Sequence, residues 1–283
     1  MSSGQGVPFR RRRLGKKLRE MREAAGKTLE EAGAYLDMSR SALQRWESGE
    51  TRPNINVVRS MMDLYDCRPE GLLDEVRAVR EKAWYEDFGI EGLGGSYIDA
   101  ETESDAVHEL TLQFVPGLLQ TEGYMRALFA AGFPPMTQGE IDKQTKVRLI
   151  RQERLLSVQR PLELIAIVAE LALHLPVGGP DVMGAQLRRI VEMTKLPTVT
   201  VQVIPRARGA HGGMRADFTL LHFPYPDYPE MLYSPFVNGA KRDEKYERLQ
   251  DVRLLFDQLR SEALDPAGSA ELIERLAGDL YGS

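Results

Sequence analysis

The chain has 283 residues and a mass of 31.9 kDa, with 42% hydrophobic and 28% charged residues. That composition excludes bulk disorder and fibrous or collagen-like classes, and the length allows roughly two domains, each long enough to bury a core. The net charge of −5 conceals an asymmetry: residues 1–59 carry 13 Lys+Arg against 7 Asp+Glu, and the remainder 24 against 35, so only the head is expected to meet a polyanion.

The single cysteine, Cys67, excludes an intramolecular disulfide framework and fits a reducing compartment. The most apolar run, Leu162 to Leu175, is broken by Glu163, Glu170 and His174 and falls short of the ~18 apolar residues a membrane span needs. No apolar stretch follows Arg10 to Arg13, so a secretory signal is not read there. The expected setting is the cytoplasm, on the nucleoid, with no membrane partner and no cofactor.

Residues 1–13 are expected to be flexible, ending in a basic arm of Arg10, Arg11, Arg12 and Arg13 that lies along a polyanion or trails as a tail. Five short helices follow within 14–80. The first runs Leu14 to Ala25 with Leu14, Leu18 and Met21 on one face and Gly26 as its stop. The second starts at the capping box Thr28-Leu29-Glu30-Glu31, and the third at the N-cap Ser39, stopping before Gly49. The fourth spans about Ile55 to Tyr65 and the fifth about Pro69 to Val79. Residues 81–97, with Gly89, Gly92, Gly94 and Gly95, read as a linker. In 98–283 helices are expected at Thr121–Ala131, Thr137–Ser157, Gly179–Thr194 and Glu244–Leu259, with a last one after a Ser269 cap. Strands are expected at Leu164–Val168, Thr198–Ile204, Phe218–Phe223 and Met231–Tyr233. This is an α/β domain with a mixed sheet and flanking helices.

The second and third helices, joined by a tight turn, form a helix-turn-helix. At 100° per residue, Ala42, Leu43 and Trp46 share one side of the third helix. Arg40, Ser41, Gln44, Arg45 and Ser48 occupy an arc of about 140° facing away. Arg can bond guanine O6 and N7 together, Gln can do so with adenine N6 and N7, and Ser is short and tolerant.

The head resembles the lambda-repressor-like, or XRE-type, helix-turn-helix regulators through Leu18, Arg22, Gly26, Thr28, Leu36, Ser39, Leu43, Trp46-Glu47-x-Gly49 and Pro53. The resemblance implies an all-α five-helix DNA-binding domain in which Arg40, Ser41, Gln44 and Arg45 contact bases. It also implies a structural ion pair between Arg22 and Glu47. Three positions depart from the pattern: Leu29 stands where many members have a phosphate-binding Gln, Asp37 replaces the turn Gly, and Gly33 replaces an Ala. Thr28, Ser39 and Arg52 are the candidates for phosphate contacts, because backbone positioning draws on hydroxyls, Arg and helix N-termini.

The acidic body carries Phe114-Val115-Pro116-Gly117-Leu118-Leu119-Gln120-Thr121-Glu122-Gly123-Tyr124, a Pro-Gly turn inside an apolar run. With Arg148-x-x-Arg151-Gln152, Glu170, Gln186-Leu187, Val199-x-Val201-x-Val203-x-Pro205 and Ala263-Leu264-x-Pro266, it resembles the C-terminal domain of unknown function that follows XRE-type heads in actinobacterial regulators, including the Scr-type. Ser234-Pro235 stands where that family commonly has a Glu. The resemblance implies control of development or antibiotic production, and a second domain that senses a small ligand or binds a small protein encoded nearby. Gln120, Thr121, Tyr124, Arg148, Arg151 and Glu170 are the ligand or partner candidates. The alternative role for them is structural, with buried Arg and Glu pairing and capping helices.

Catalysis is not expected. His108, His174, His211 and His222 lack metal-ligand spacing, no P-loop or G-x-S-x-G elbow is present, and Asp217 and Glu230 have no closely following Lys for a nuclease site. The chain reads as a sequence-specific transcription regulator, expected as a homodimer on a palindromic double-stranded operator. The rival reading is an antitoxin-like protein that binds a small partner and autoregulates its operon.

Overall fold

The computed structural model describes residues 7–90, 92–236 and 239–281. The chain divides into two compact units, Met1–Glu103 and Ser104–Ser283.

The first unit is helical: α1 (Phe9–Ala24), α2 (Leu29–Tyr35), α3 (Arg40–Glu47), α4 (Ile55–Leu64), α5 (Leu72–Ala78), a 3-10 turn (Trp84–Phe88) and α6 (Gly92–Glu103). Thr28 and Glu31 form the reciprocal capping box at α2, and Ser39 Oγ accepts from the Ala42 amide at α3. Leu14, Leu18 and Met21 of α1 pack with Leu43, Val58, Met61, Leu72 and Val76 in one core. The turn between α2 and α3 places Asp37 at φ 52°, a left-handed conformation that Asp tolerates in place of Gly. Gly33 sits where a Cβ would meet the Met38 carbonyl oxygen at 2.7 Å, which is why Ala is absent there.

Two expectations for this unit are corrected. The basic arm is not an arm. Pro8 precedes α1, Val7 and Phe9 are buried, and Arg10 to Arg13 form the first turns of the helix. Residues 1–6 of the expected tail lie outside the described residues. The stretch expected as a linker folds as the 3-10 turn and α6, which belong to the first unit. The Gly-rich composition misled because these glycines serve the fold: Gly89 and Gly92 take positive φ at the end of the 3-10 turn and the start of α6, and a Cβ at Gly95 would meet the Tyr85 ring at 3.0 Å and the Ile90 carbonyl oxygen at 3.2 Å. Asp99 of α6, only 1% exposed, accepts from the Arg10 amide at 3.0 Å and from Arg10 Nε at 3.2 Å. A buried carboxylate thus satisfies an otherwise unpaired donor at the N-terminus of α1.

The second unit contains a six-stranded mixed sheet in the order β3-β2-β1-β4-β5-β6. Its strands are β1 (Ala106–Thr111), β2 (Glu163–Ala169), β3 (Val199–Ile204), β4 (Phe218–His222), β5 (Glu230–Phe236) and β6 (Gly239–Asp243). Strands β1 to β3 are parallel, and β4 to β6 continue as an antiparallel meander. The helices are α7 (Glu122–Ala130), α8 (Gln138–Gln152), α9 (Glu170–His174), α10 (Pro180–Met193), α11 (Tyr246–Glu262) and α12 (Pro266–Tyr281). Leu110, Ile165, Ile167, Ile204, Phe218 and Leu220 on one sheet face pack with Leu249, Phe256 and Leu259 of α11. Ser269 is not the cap of the last helix, which begins at Pro266. Its Oγ accepts from the Val203 amide at 2.9 Å, sealing part of the β3 edge.

A histidine pair lies under α11. His222 Nε2 and His108 Nδ1 are 3.0 Å apart, the His108 ring stacks on Phe256 with centroids 5.1 Å apart, and His222 Nδ1 lies 3.2 Å from Glu230. Burial, then repulsion from His222 and Arg260, lowers His108 to about 4. Burial also lowers His222, opposed by Glu230 and Asp105. The unfolded chain therefore binds more protons than the folded one between its ordinary value near 6.5 and about 4. Stability is fully present above that window and falls as pH drops through it. The expected loss from His108 is on the order of 1 kcal/mol, allowing for solvent screening of a half-buried ring. Calorimetry of the full chain from pH 7 to 4, set against His108→Gln, checks it: the variant should lose that part of the slope.

Candidate nucleic-acid interface

Helix α3 is built with two unlike sides. Leu43 and Glu47 are buried and Ala42 and Trp46 half-buried, whereas Arg40, Ser41, Gln44, Arg45 and Ser48 are exposed. The 100° periodicity therefore places all four base-reading candidates on one solvent-facing surface.

What fixes the direction of that surface is α1. Arg22 donates to Glu47 through Nε at 2.7 Å and Nη2 at 2.8 Å, and through Nη1 to the Lys27 carbonyl at 2.7 Å. The fork-to-fork geometry fixes both distance and angle between the helices. The hydrogen bonds from Arg22 to Glu47 are also the leading reason its guanidinium is held above its ordinary value. Beside this pair the helices touch backbone to backbone. A Cβ on Gly15 would lie 2.6 Å from the carbonyl oxygens of both Trp46 and Glu47. Gly15→Ala adds helix propensity worth about 1 kcal/mol, yet it must push α3 away. The expected net result is a destabilisation of about 1–3 kcal/mol, read by urea unfolding with tryptophan fluorescence. Both tryptophans, Trp46 and Trp84, belong to the first unit, so this signal reports on it alone.

The phosphate candidates are placed differently from one another. The Thr28 hydroxyl accepts from the Glu31 amide and lies 3.0 Å from Glu31 Oε2, so it is committed to its own helix. Ser39 caps α3 and lies 3.2 Å from Ser41 Oγ. Arg52 is exposed in the loop after α3, with Nη1 3.4 Å from the Arg80 carbonyl oxygen. Arg40 is paired with Glu30 of α2 at 2.8 Å, both side chains more than 60% exposed. An exposed pair of this kind contributes little stability and gives way readily to a stronger acceptor.

The four arginines of the expected arm are separated by the fold. Arg10 is held by Asp99. Arg12 is buried, donating to the Val7 carbonyl at 2.8 Å with its guanidinium carbon 5.7 Å from the Phe9 ring centroid. Arg13 lies 3.6 Å from Glu75. Arg11 donates to the Glu50 carbonyl at 3.5 Å. Sequence reasoning missed Gly15, Glu30 and Asp99. Only Gly15 left a trace, as an isolated glycine within a helical period.

The candidates in the second unit prove to be a clamp on one buried loop. Gln120 Nε2 donates to the Val115 carbonyl at 2.7 Å, and its Oε1 accepts from Arg148. Tyr124 Oη accepts from the Val115 amide at 3.2 Å, and Thr121 Oγ1 caps α7. Gln152 donates to the Gly117 and Gln120 carbonyls, and Gln186 bonds the Thr121 amide at 2.7 Å and the Leu119 carbonyl at 2.9 Å. The Arg148 guanidinium carbon stands 4.5 Å from the Phe129 ring centroid, and Arg151 Nη2 lies 3.9 Å from where a Gly117 Cβ would be. Glu170 is elsewhere: it accepts from the Arg206 amide at 2.7 Å, Arg206 Nε at 3.0 Å and His174 Nε2 at 3.1 Å. The structure thus brings together five of the six candidates and separates Glu170. The groups in both places are largely satisfied within the protein, as buried polar atoms generally are.

Among the described residues, no group of three or more His, Cys, Asp or Glu is placed to hold a metal ion. Glu230 is engaged by His222 and by Arg253 at 3.2 Å, and Asp217 accepts from the Leu112 amide at 2.9 Å. Among the described residues, no helix is long and apolar enough to cross a membrane.

Comparison with known proteins gives one family match in each part of the chain, the second beginning inside α6. Residues 13–76 match a helix-turn-helix domain family. A protein of Pyrococcus abyssi, provisionally named as an HTH-type transcriptional regulatory protein, is 22% identical over 196 residues, covering 69% of this chain. The chain spans 55% of the length of that curated relative. No solved structure matches this chain. Residues 95–275, well over half of the chain, match the domain of unknown function DUF5753, and the chain belongs to that family, its domain here following a helix-turn-helix head.

Proposed function

We propose that the protein is a sequence-specific DNA-binding transcriptional regulator in which α3 enters the major groove and Arg40, Ser41, Gln44 and Arg45 read base edges. The observation that carries this reading is the exposure of those four side chains on one face of a helix whose other face is locked to α1. The match of residues 13–76 to a helix-turn-helix family supports it. A single module of this size buries little surface on DNA, so a homodimer on a palindromic site is part of the proposal.

Selection of duplexes from a random pool by the full-length protein tests it. The expected result is a recovered consensus with two half-sites about one helical turn apart. Arg45→Ala should cost about 1–3 kcal/mol on that consensus and relax preference at one base pair per half-site. Equal loss on every sequence would demote Arg45 to a phosphate contact, and no recovered consensus would remove the reading.

The second domain is proposed to receive the controlling signal, since every DNA-reading candidate lies in the first unit. A small protein partner fits better than a small ligand held by the predicted residues. Gln120, Thr121, Tyr124 and Glu170 already spend their hydrogen bonds internally, and a ligand there would have to displace them. The genes under control, by resemblance those of development or antibiotic production, follow from the operators the selection recovers.

A further inference from the structure

Of the four consecutive arginines at the start of α1, Arg11 is placed unlike the rest. Arg10 and Arg13 lie against carboxylates, and Arg12 is buried on the Val7 carbonyl. Arg11 faces the loop after α3 instead. The approach is fixed by Gly49, which has φ 75° and at which a Cβ would lie 2.8 Å from the Arg11 carbonyl oxygen. The main chain of α1 is therefore pressed against the turn that ends α3, and Nη1 of Arg11 reaches the Glu50 carbonyl oxygen. Two residues further on stands Arg52. Arg11 and Arg52 line the same shallow surface recess, which Arg10, Glu81, Glu86 and Asp99 also line; Asp99 is taken by Arg10, and neither glutamate is within ion-pair distance of Arg11 or Arg52.

Neither guanidinium has a carboxylate within ion-pair distance among the described residues. Each is held only by a backbone carbonyl, Glu50 for Arg11 and Arg80 for Arg52. Burial and then the neighbouring Arg52 push the Arg11 guanidinium down, while Tyr85, Asp99 and Glu86 act the other way from further off. Both guanidinia therefore keep N–H donors with no direct charged partner, and a phosphate oxygen that accepts from both would also offset their mutual repulsion. The pair sits just beyond the C-terminal end of α3. Duplex DNA carries one negative charge per roughly 1.7 Å of axis, so a helix laid in the groove has phosphates beside both of its ends.

We infer that Arg11 and Arg52 form a two-cation clamp for a DNA backbone phosphate, joining the first helix to the loop after the recognition helix. The inference rests on the DNA-binding reading above and adds to it a contact from α1. Its role is positional: it sets the register of α3 along the groove and carries no base preference.

The test is the salt dependence of binding by the full-length protein, on a duplex selected by the wild type and on a scrambled duplex. Arg11→Gln is expected to weaken both duplexes by the same factor and to lower the slope of log K against log salt by about 0.9. Arg52→Gln should do the same, and Arg11→Lys should retain the wild-type slope. Arg68→Gln, a charge-loss control at an exposed arginine paired with Asp63, should leave the slope unchanged. Tryptophan fluorescence shows whether each variant retains its fold. A wild-type slope in folded Arg11→Gln would overturn the clamp while leaving DNA reading intact, as would a loss confined to the selected duplex. Failure of the wild type to bind either duplex would instead remove the DNA-binding reading, and the clamp with it.

Discussion

Glu47→Gln is expected to destabilise the N-terminal domain by about 3–5 kcal/mol. The substitution keeps the shape of the side chain, so no cavity forms. It removes one member of an ion pair whose side chains are 8% and 5% exposed. Arg22 is then left charged, with one neutral amide oxygen in place of the carboxylate fork, the Lys27 carbonyl, and the half-exposed Glu23 at 3.6 Å to compensate it. Urea unfolding followed by tryptophan fluorescence measures this, since both tryptophans lie in that unit. The double variant Arg22→Met, Glu47→Leu should recover much of the loss, because an apolar pair of similar volume avoids the desolvation of two charges. Yet its DNA affinity should remain lowered, since an apolar pair does not reproduce the directional fork that aims α3. A Glu47→Gln protein as stable as the wild type would show that the pair is dispensable for the fold.

Gln186→Leu is expected to be the costliest single change among the side chains that hold the Val115–Thr121 loop, at about 2–4 kcal/mol. Gln186 is fully buried on α10, and its two amide atoms serve the Thr121 amide and the Leu119 carbonyl of a loop 65 residues or more away in sequence. Leucine fills the same space, so the loss isolates the two unpaired backbone groups left behind. Thr121→Ala removes only the cap of α7 and should cost about 0.5–2 kcal/mol. Calorimetry of the full chain distinguishes the two, because tryptophan is silent in this unit. An equal or smaller effect for Gln186→Leu would show that water takes over both partners.

These two positions differ in how they could be found. Arg22 and Glu47 could be paired from the sequence only through resemblance, because nothing in a run of residues says that positions 25 apart form a fork. The loop from Val115 to Thr121 was visible as a Pro-Gly break in an apolar run, but its polar residues suggested a pocket. The structure shows them, with Gln152 and Gln186, holding the backbone of that loop. A buried amide that bonds main chain looks the same in sequence as one that awaits a ligand.

What the sequence determined by itself was everything governed by local periodicity and local hydrogen bonding. The capping boxes at Thr28 and Thr137, the N-cap at Ser39 and the two-sidedness of α3 are set by side chains acting within a turn or two of helix, and each formed as read. Strand β2 was legible because apolar residues run nearly unbroken through it, β3 because valines alternate with Thr200 and Gln202, and β4 because it is a short, largely apolar run. Tertiary structure decided the rest. Strand β1 carries His108 and Glu109 at its centre, and β6 is the polar edge strand Gly239–Asp243, so neither has a pattern until its neighbour supplies the ladder. Gly95 of α6 is required because Tyr85 and the Ile90 carbonyl crowd its backbone, and the arginine run at 10–13 is divided among Asp99, Val7, Glu75 and the loop after α3. Charge and flexibility are read locally, but which charge is neutralised depends on residues brought from as far as 89 positions away, and only the folded chain brings them.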